Sequence, residues 1–320
     1  MKKSKIIKNG LGIAALAGVG VSMFRAATTY KAEPITNNDN SFEEKVDIDR
    51  FIKNLSDAIK IPTIANRDES LVDWAPFDEF HALLEKAYPL MHKNLDKQII
   101  STRSLLYHWK SEHPEKEPIA LLSHQDVVPV TPGTEDDWKY PAFSGEVAEG
   151  FLWGRGAIDM KNHLIAVCEA VETLLEEGYV PERDVYLCFG HNEEVMAEGE
   201  ICGADCMMRW FKENGIRLDS VLDEGGAILE AKVDKVIDGH LAGVGIAEKG
   251  MIEVEYRVKS NGGHASAPKP HTPVGILSRA CCNVENKPFK SHITPPVKEM
   301  FDTLGRHSNL LYRIIFANMW

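Results

Sequence analysis

The sequence predicts an α/β fold, a sheet with helices on both faces, and three observations carry that expectation. Apolar runs of strand length recur at 118–130, 184–190 and 220–222, each ends in His or acidic residues, and helical patterns lie between them. Repetition of strand, acid and helix is what a sheet with ligands at the carboxyl ends of its strands looks like.

The elements follow in order. From Ser41, apolar residues at Phe42, Val46, Ile48, Phe51, Ile52, Leu55 and Ile59 recur at helical intervals, with Ser41 and Glu44 at capping-box spacing, and Ile61-Pro62 ends the helix. A second amphipathic helix is expected over Phe77 to Met91 and a strand over Ile99 to Trp109. The buried strand Pro118 to Val130 delivers His124 and Asp126, which on extended backbone share one side. Next come two glycines, Gly154 and Gly156, and a helix from Asp159 to Glu177; read alone, Asp159 serves as its N-cap. A strand over Asp184 to Gly190 empties into His191-Asn192-Glu193-Glu194. A helix over Ile201 to Glu213 leads to a short strand ending in Asp223-Glu224. The texture then changes: Gly250 to Ser260 alternates as a half-exposed antiparallel strand, and a helix begins near Thr272-Pro273.

Composition narrows the class. With 320 residues, 26% charged and 44% apolar, the chain is globular and long enough for two domains. A net charge of -12 without a basic stripe excludes a nucleic-acid partner. The six cysteines lack the spacing of a disulfide framework and read mostly as small core residues. Residues 1–34 have the form of a signal peptide or N-terminal membrane anchor: Lys2, Lys3, Lys5 and Lys8 precede an apolar run from Leu11 to Phe24. That run falls short of the ~20 residues that span a bilayer comfortably. The expectation is export, followed either by release or by anchoring through residues 8–25.

The chemistry lies at the strand ends. His124, Asp159, Glu194 and Asp223 (or Glu224) arrive roughly thirty to thirty-five residues apart, a spacing that brings them to one rim. A set of His and carboxylate donors without a thiolate suits a catalytic zinc or a cocatalytic pair. Two adjacent carboxylates at a core strand end, Glu193-Glu194, are expensive to hold without a cation. On extended backbone Glu193 cannot point with Glu194, which frees it to act as a general base.

Ser123-His124-Gln125-Asp126-Val127-Val128-Pro129-Val130, Gly154-Arg155-Gly156-Ala157-Ile158-Asp159-Met160-Lys161, Asn192-Glu193-Glu194 and Gly262-Gly263-His264-Ala265-Ser266 stand in an informative order. Together they resemble the dizinc metallopeptidases that include aminoacylase, the Gly-Xaa carboxypeptidases, the N-acyl amino acid hydrolases and succinyl-diaminopimelate desuccinylase, from about Ser41 to the C-terminus. The resemblance implies a mixed-sheet catalytic domain over 41–245 and the start of an inserted α+β lid and dimerisation domain over 246–320. It implies two zinc ions, with cobalt or manganese as substitutes. His124 and Glu194 are then ligands on opposite ions, Asp159 the bridge, and Asp223 the next ligand with Glu224 as its alternative. Asp126 orients His124, Glu193 is the base, and His264 in the lid donates to the oxyanion.

The implied substrate is a small peptide or N-acyl amino acid, cleaved beside a free carboxylate, and the implied partner is a second copy through the lid. One departure stands out: the family's last His, well beyond the lid entry, has no counterpart before Trp320. His271, His292 and His307 fall too early. The second metal site thus lacks its expected final ligand, and two readings follow. One is a metal-dependent amidohydrolase; the other is a truncated, inactive binding homologue with a partial metal site.

Overall fold

The computed structural model describes residues 17–28, 30–31, 33, 46–196, 199–226, 228–233, 237–246, 250, 252–268 and 270–319. The chain divides into two compact units, Asn40–Glu224 and Met1–Asp39 with Gly225–Trp320.

The first unit holds a five-stranded mixed sheet in the order β1-β2-β6-β3-β7, where β1 is Asp96–Ile100, β2 Ser104–Trp109, β3 Ile119–His124, β6 Val185–Gly190 and β7 Ser220–Leu222. Strands β1, β2 and β6 pair antiparallel, whereas β6, β3 and β7 run parallel. Three parallel neighbours end on one edge, and His124 pairs with Gly190 there. A small hairpin, β4 (Glu146–Ala148) and β5 (Phe151–Trp153), precedes the long helix α5 (Lys161–Glu176).

Alternation along the strands divides the core. Leu105, Tyr107, Trp109, Val185, Leu187 and Phe189 face Leu55 and Ile59 of α2 (Ile48–Ile59), Phe80 and Leu84 of α3 (Ala75–Ala87), Met91 of α4 (Pro89–Asn94), and Leu164, Ile165, Cys168 and Val171 of α5. Leu106, Tyr186 and Cys188 face the other way, onto Met207 and Phe211 of α6 (Gly203–Glu213). Each large apolar side chain buried here is worth about 1.5–3 kcal/mol. The expected helices on both faces are therefore present.

Several elements differ from expectation, each for a local reason. The capping-box pair Ser41 and Glu44 lies outside the described residues; α2 begins at Ile48, where the Asp47 carboxylate accepts the Arg50 N–H at 2.9 Å. The single helix expected over 77–91 is two, because Pro89 offers no N–H and disfavours helical backbone at Tyr88. Buried Glu172 of α5 caps the second, accepting the N–H groups of Leu90 and Met91 at 2.9 and 2.8 Å. The strand expected over 99–109 is a hairpin that turns at Ser101, whose φ is 60°. Strand β3 stops at His124, which leaves Asp126 in the turn beyond. Helix α5 begins at Lys161 with Met160 in the cap position, so Asp159 is not its cap.

In the second unit, β8 (Ile228–Val233) and β9 (Ile237–Ala242) form a hairpin. The alternating residues 252–260 are not in a strand; periodicity alone supplies no partner. Helix α7 (Pro273–Glu285) starts as expected, with the Thr272 hydroxyl accepting the Gly275 N–H at 3.3 Å. The N-terminal segment is helical where it is described: residues 17–28 form helix α1, and Ala26 and Tyr30 are buried with Ala317 of the chain's last turns. Tyr30 donates its hydroxyl proton to Asp302 of α8 (Pro295–His307), whose Gly305 leaves room for the Tyr30 ring. Among the described residues no helix is long and apolar enough to cross a membrane.

Candidate metal centre

The rim where β3, β6 and β7 end is built around His124, whose side chain is 3% exposed. Its Nδ1 lies 2.9 Å from the main-chain oxygen of Asp126, with the Asp126 carboxylate at 3.4 Å. That contact presents Nε2 outward, to Asp159 Oδ1 at 3.0 Å, Glu224 Oε2 at 3.6 Å and Glu193 Oε2 at 3.8 Å. One donor atom each from His124, Asp159 and Glu224 lies within 4.8 Å of the others. The Asp159 side chain is 63% exposed and that of Glu224 36%, so the group opens to solvent on the side away from the ring.

Asp126 is wholly buried and has a second task that the sequence did not announce. Its Oδ1 and Oδ2 accept the N–H groups of Glu193 and Glu194, each at 3.0 Å. A carboxylate taking two backbone donors holds the turn after β6 against the turn after β3. Between them Gln125, also wholly buried, donates to the carbonyls of Phe189 and Arg103 at 2.8 and 3.0 Å and meets His81 Nε2 at 2.7 Å through its Oε1. Both N–H donors of that amide are used, and its oxygen has a partner.

Charge crowding marks the rim. Burial holds the His124 imidazole down, but the hydrogen bond to Asp126 and the charges of Asp126, Glu224 and Glu193 outweigh it and push the ring up to about 10. Burial, reinforced by Asp159, Glu193 and Asp223, pushes Glu224 up to about 7 against the opposing pull of His124. Glu193 and Glu194 are raised chiefly by burial. Carboxylates forced together at the cost of their ionisation, around an aimed imidazole, form a donor set that fits a divalent cation.

The expected residues are thus partly gathered. His124, Asp159 and Glu224 converge, with Glu193 at the edge of the group. Glu194 is tied to Asp126 by its backbone, and its carboxyl lies outside the close group. Asp223 Oδ1 accepts the Glu224 N–H at 2.8 Å, and it is Glu224 that reaches His124. His264 belongs to the second unit, where it is exposed and its Nδ1 lies 2.8 Å from the Ser266 hydroxyl.

Residues 120–304 match the model of peptidase family M20/M25/M40. The chain is 35% identical to the probable carboxypeptidase S-like 2 of Dictyostelium discoideum, over 99% of this chain and 60% of that protein. It is 35% identical to carboxypeptidase S of Saccharomyces cerevisiae over 88% of this chain and 51% of that one. It is 33% identical to the mouse N-fatty-acyl-amino acid synthase/hydrolase PM20D1 over 88% of this chain and 54% of that protein. The chain therefore spans about half to three-fifths of the length of these curated relatives.

Proposed function

The chain belongs to peptidase family M20/M25/M40, and from its His124, Asp159 and Glu224 group we propose that it carries the metal centre of a hydrolase. The bond cleaved is a peptide or N-acyl amide beside a free carboxylate, and the substrate a small peptide or N-acyl amino acid. The relatives named as carboxypeptidases and as an N-fatty-acyl-amino acid synthase/hydrolase support that class.

Two zinc ions are proposed, which His124, Asp159, Glu194 and, in preference to Asp223, Glu224 would hold. When bound, such a cation lowers the pKa of water and polarises the scissile carbonyl. The protein's own groups do the rest. Asp126 aims His124 and fixes the backbone of Glu193. The Glu193 carboxylate, its pKa raised by burial, takes a proton from the attacking water as the oxygen–carbon bond forms. It returns that proton to the amine nitrogen as the carbon–nitrogen bond breaks, leaving a carboxylic acid and an amine. His264 is proposed as the donor that steadies the oxyanion. Residues 41–245 are read as the first part of the catalytic domain and 246–320 as the start of a lid that pairs two copies. Export of the chain, with or without anchoring through its N-terminus, belongs to the same reading.

The observation that carries the proposal is the convergence of His124, Asp159 and Glu224 within 4.8 Å. Zinc bound per folded chain after dialysis against buffered metal tests it, alongside hydrolysis of N-acyl amino acids and dipeptides. Zinc near two with turnover supports the full reading. Metal without turnover favours the inactive binding homologue, and no bound metal overturns both.

A further inference from the structure

One segment touches both turns that carry the metal-binding side chains. The end of α2 and the residues after it, Ala58 to Thr63, serve His124 on one side and Asp159 on the other. Thr63 is wholly buried; its hydroxyl donates to the Gln125 carbonyl at 2.6 Å, and its own carbonyl accepts the Val127 N–H at 3.0 Å. Lys161 is wholly buried too, with Nζ donating to the carbonyls of Ala58 at 2.9 Å and Ile61 at 2.6 Å, 4.9 Å from the centre of the Phe80 ring. The two turns also meet directly. A methyl group on Gly156 would stand 2.6 Å from Val127 Cγ1 and 3.5 Å from Lys161 Cδ, and Gly156 has φ +83°.

An ammonium taken entirely out of water is costly, and an apolar side chain would fill the same slot at less expense. What the amine adds is geometry. It adds a second donor to two carbonyls at and just beyond the end of α2, Ala58 and Ile61, which also accept the N–H groups of Ile61 at 3.3 Å and Thr63 at 3.0 Å, and so links the position two residues beyond Asp159 to one buried anchor. Thr63 links two residues on either side of Asp126 to the same anchor.

We propose that Lys161 is a positioning residue for the metal group: by tying the first turn of α5 to the Ala58–Thr63 segment, it fixes the reach of Asp159 relative to His124. The proposal rests on the reading of His124, Asp159 and Glu224 as metal-binding. Groups that orient ligands from behind typically change metal affinity 10–100-fold when removed.

The test uses the full chain and Co2+, whose visible bands report the geometry of its ligands. Wild type is compared with Lys161→Met, which keeps an unbranched apolar stem and loses the ammonium, and with Glu172→Ala, which uncaps α4 and serves as the stability control. Lys161→Met is expected to bind Co2+ about 10–100-fold more weakly and with altered visible bands, while Glu172→Ala keeps both the affinity and the bands. Lys161→Met within about twofold of wild type, with the same bands, overturns the proposal. So does an equal loss in Glu172→Ala, which would make the effect one of general stability. If Lys161→Met does not fold, Lys161→Leu, which likewise loses the donor, is read the same way; failure of both to fold assigns Lys161 to the fold alone and overturns the proposal. Absence of Co2+ binding by the wild type instead overturns the metal reading itself, and this proposal with it.

Discussion

The buried carboxylate of Asp126 holds Glu194 by its backbone, Oδ2 accepting that N–H at 3.0 Å while Oδ1 takes the N–H of Glu193 at the same distance. The turn that carries Glu193, the proposed base, is thereby fastened to the segment just beyond His124. Asp126→Ala leaves both N–H groups without their acceptor in a dry place. At about 1.5–3 kcal/mol for a hydrogen bond to a charged group, the expected loss of unfolding free energy is about 3 kcal/mol or more. Denaturant unfolding with chelator present measures it, and a loss below about 1 kcal/mol would contradict the role.

Glu193→Gln removes the proposed base while leaving its N–H on Asp126. Turnover is expected to fall by about 10²–10⁴ with zinc content unchanged. Loss of zinc in the same variant would make Glu193 a ligand.

Glu224, not Asp223, faces His124, so the two acids separate by substitution. Glu224→Ala is expected to weaken zinc binding by more than the roughly 100-fold seen for outer groups, and Asp223→Ala by less. Competition against a chromophoric chelator ranks them, and the reverse order would reassign the ligand.

His81 and His92 lie against the core, and burial lowers both ring pKa values below the ordinary range despite their hydrogen bonds. The unfolded chain thus takes up protons at a higher pH than the folded one. Their contribution is complete above about pH 6.5 and is lost as pH falls through the folded values. In chelator, His81→Gln, which cannot titrate, is expected to remove a loss of unfolding free energy on acidification from pH 7 to 5 and so to change the slope by up to about 1.4 kcal/mol per pH unit. Parallel slopes for both proteins would remove His81 from the account.

Much of this was legible in the chain because strand ends announce themselves. Apolar runs that stop at His124, Glu193 and Asp223 mark three strands, and their parallel pairing brings the ends together. What periodicity could not supply was partnership. Whether Asp223 or Glu224 turns inward depends on where β7 stops, and Gln125, Thr63 and Lys161 look like ordinary polar residues until the distant carbonyls they serve are known. The alternation at 252–260 misled for the same reason. Ser101 and Pro89 broke elements that the apolar pattern ran straight through.

The distribution of thiols gives this protein an internal clock. All six are unpaired; Cys281 and Cys282 stand on the surface, whereas Cys168 and Cys188 lie under opposite faces of the sheet, where burial raises Cys168 well above the usual thiol range and Cys188 to about 12. An alkylating reagent attacks only thiolate it can reach. Surface sites label at once, and the two hidden ones label only when their own helix layer lifts. Mass spectrometry of the modified chain over time would then read how often each side of the sheet opens, without any introduced probe.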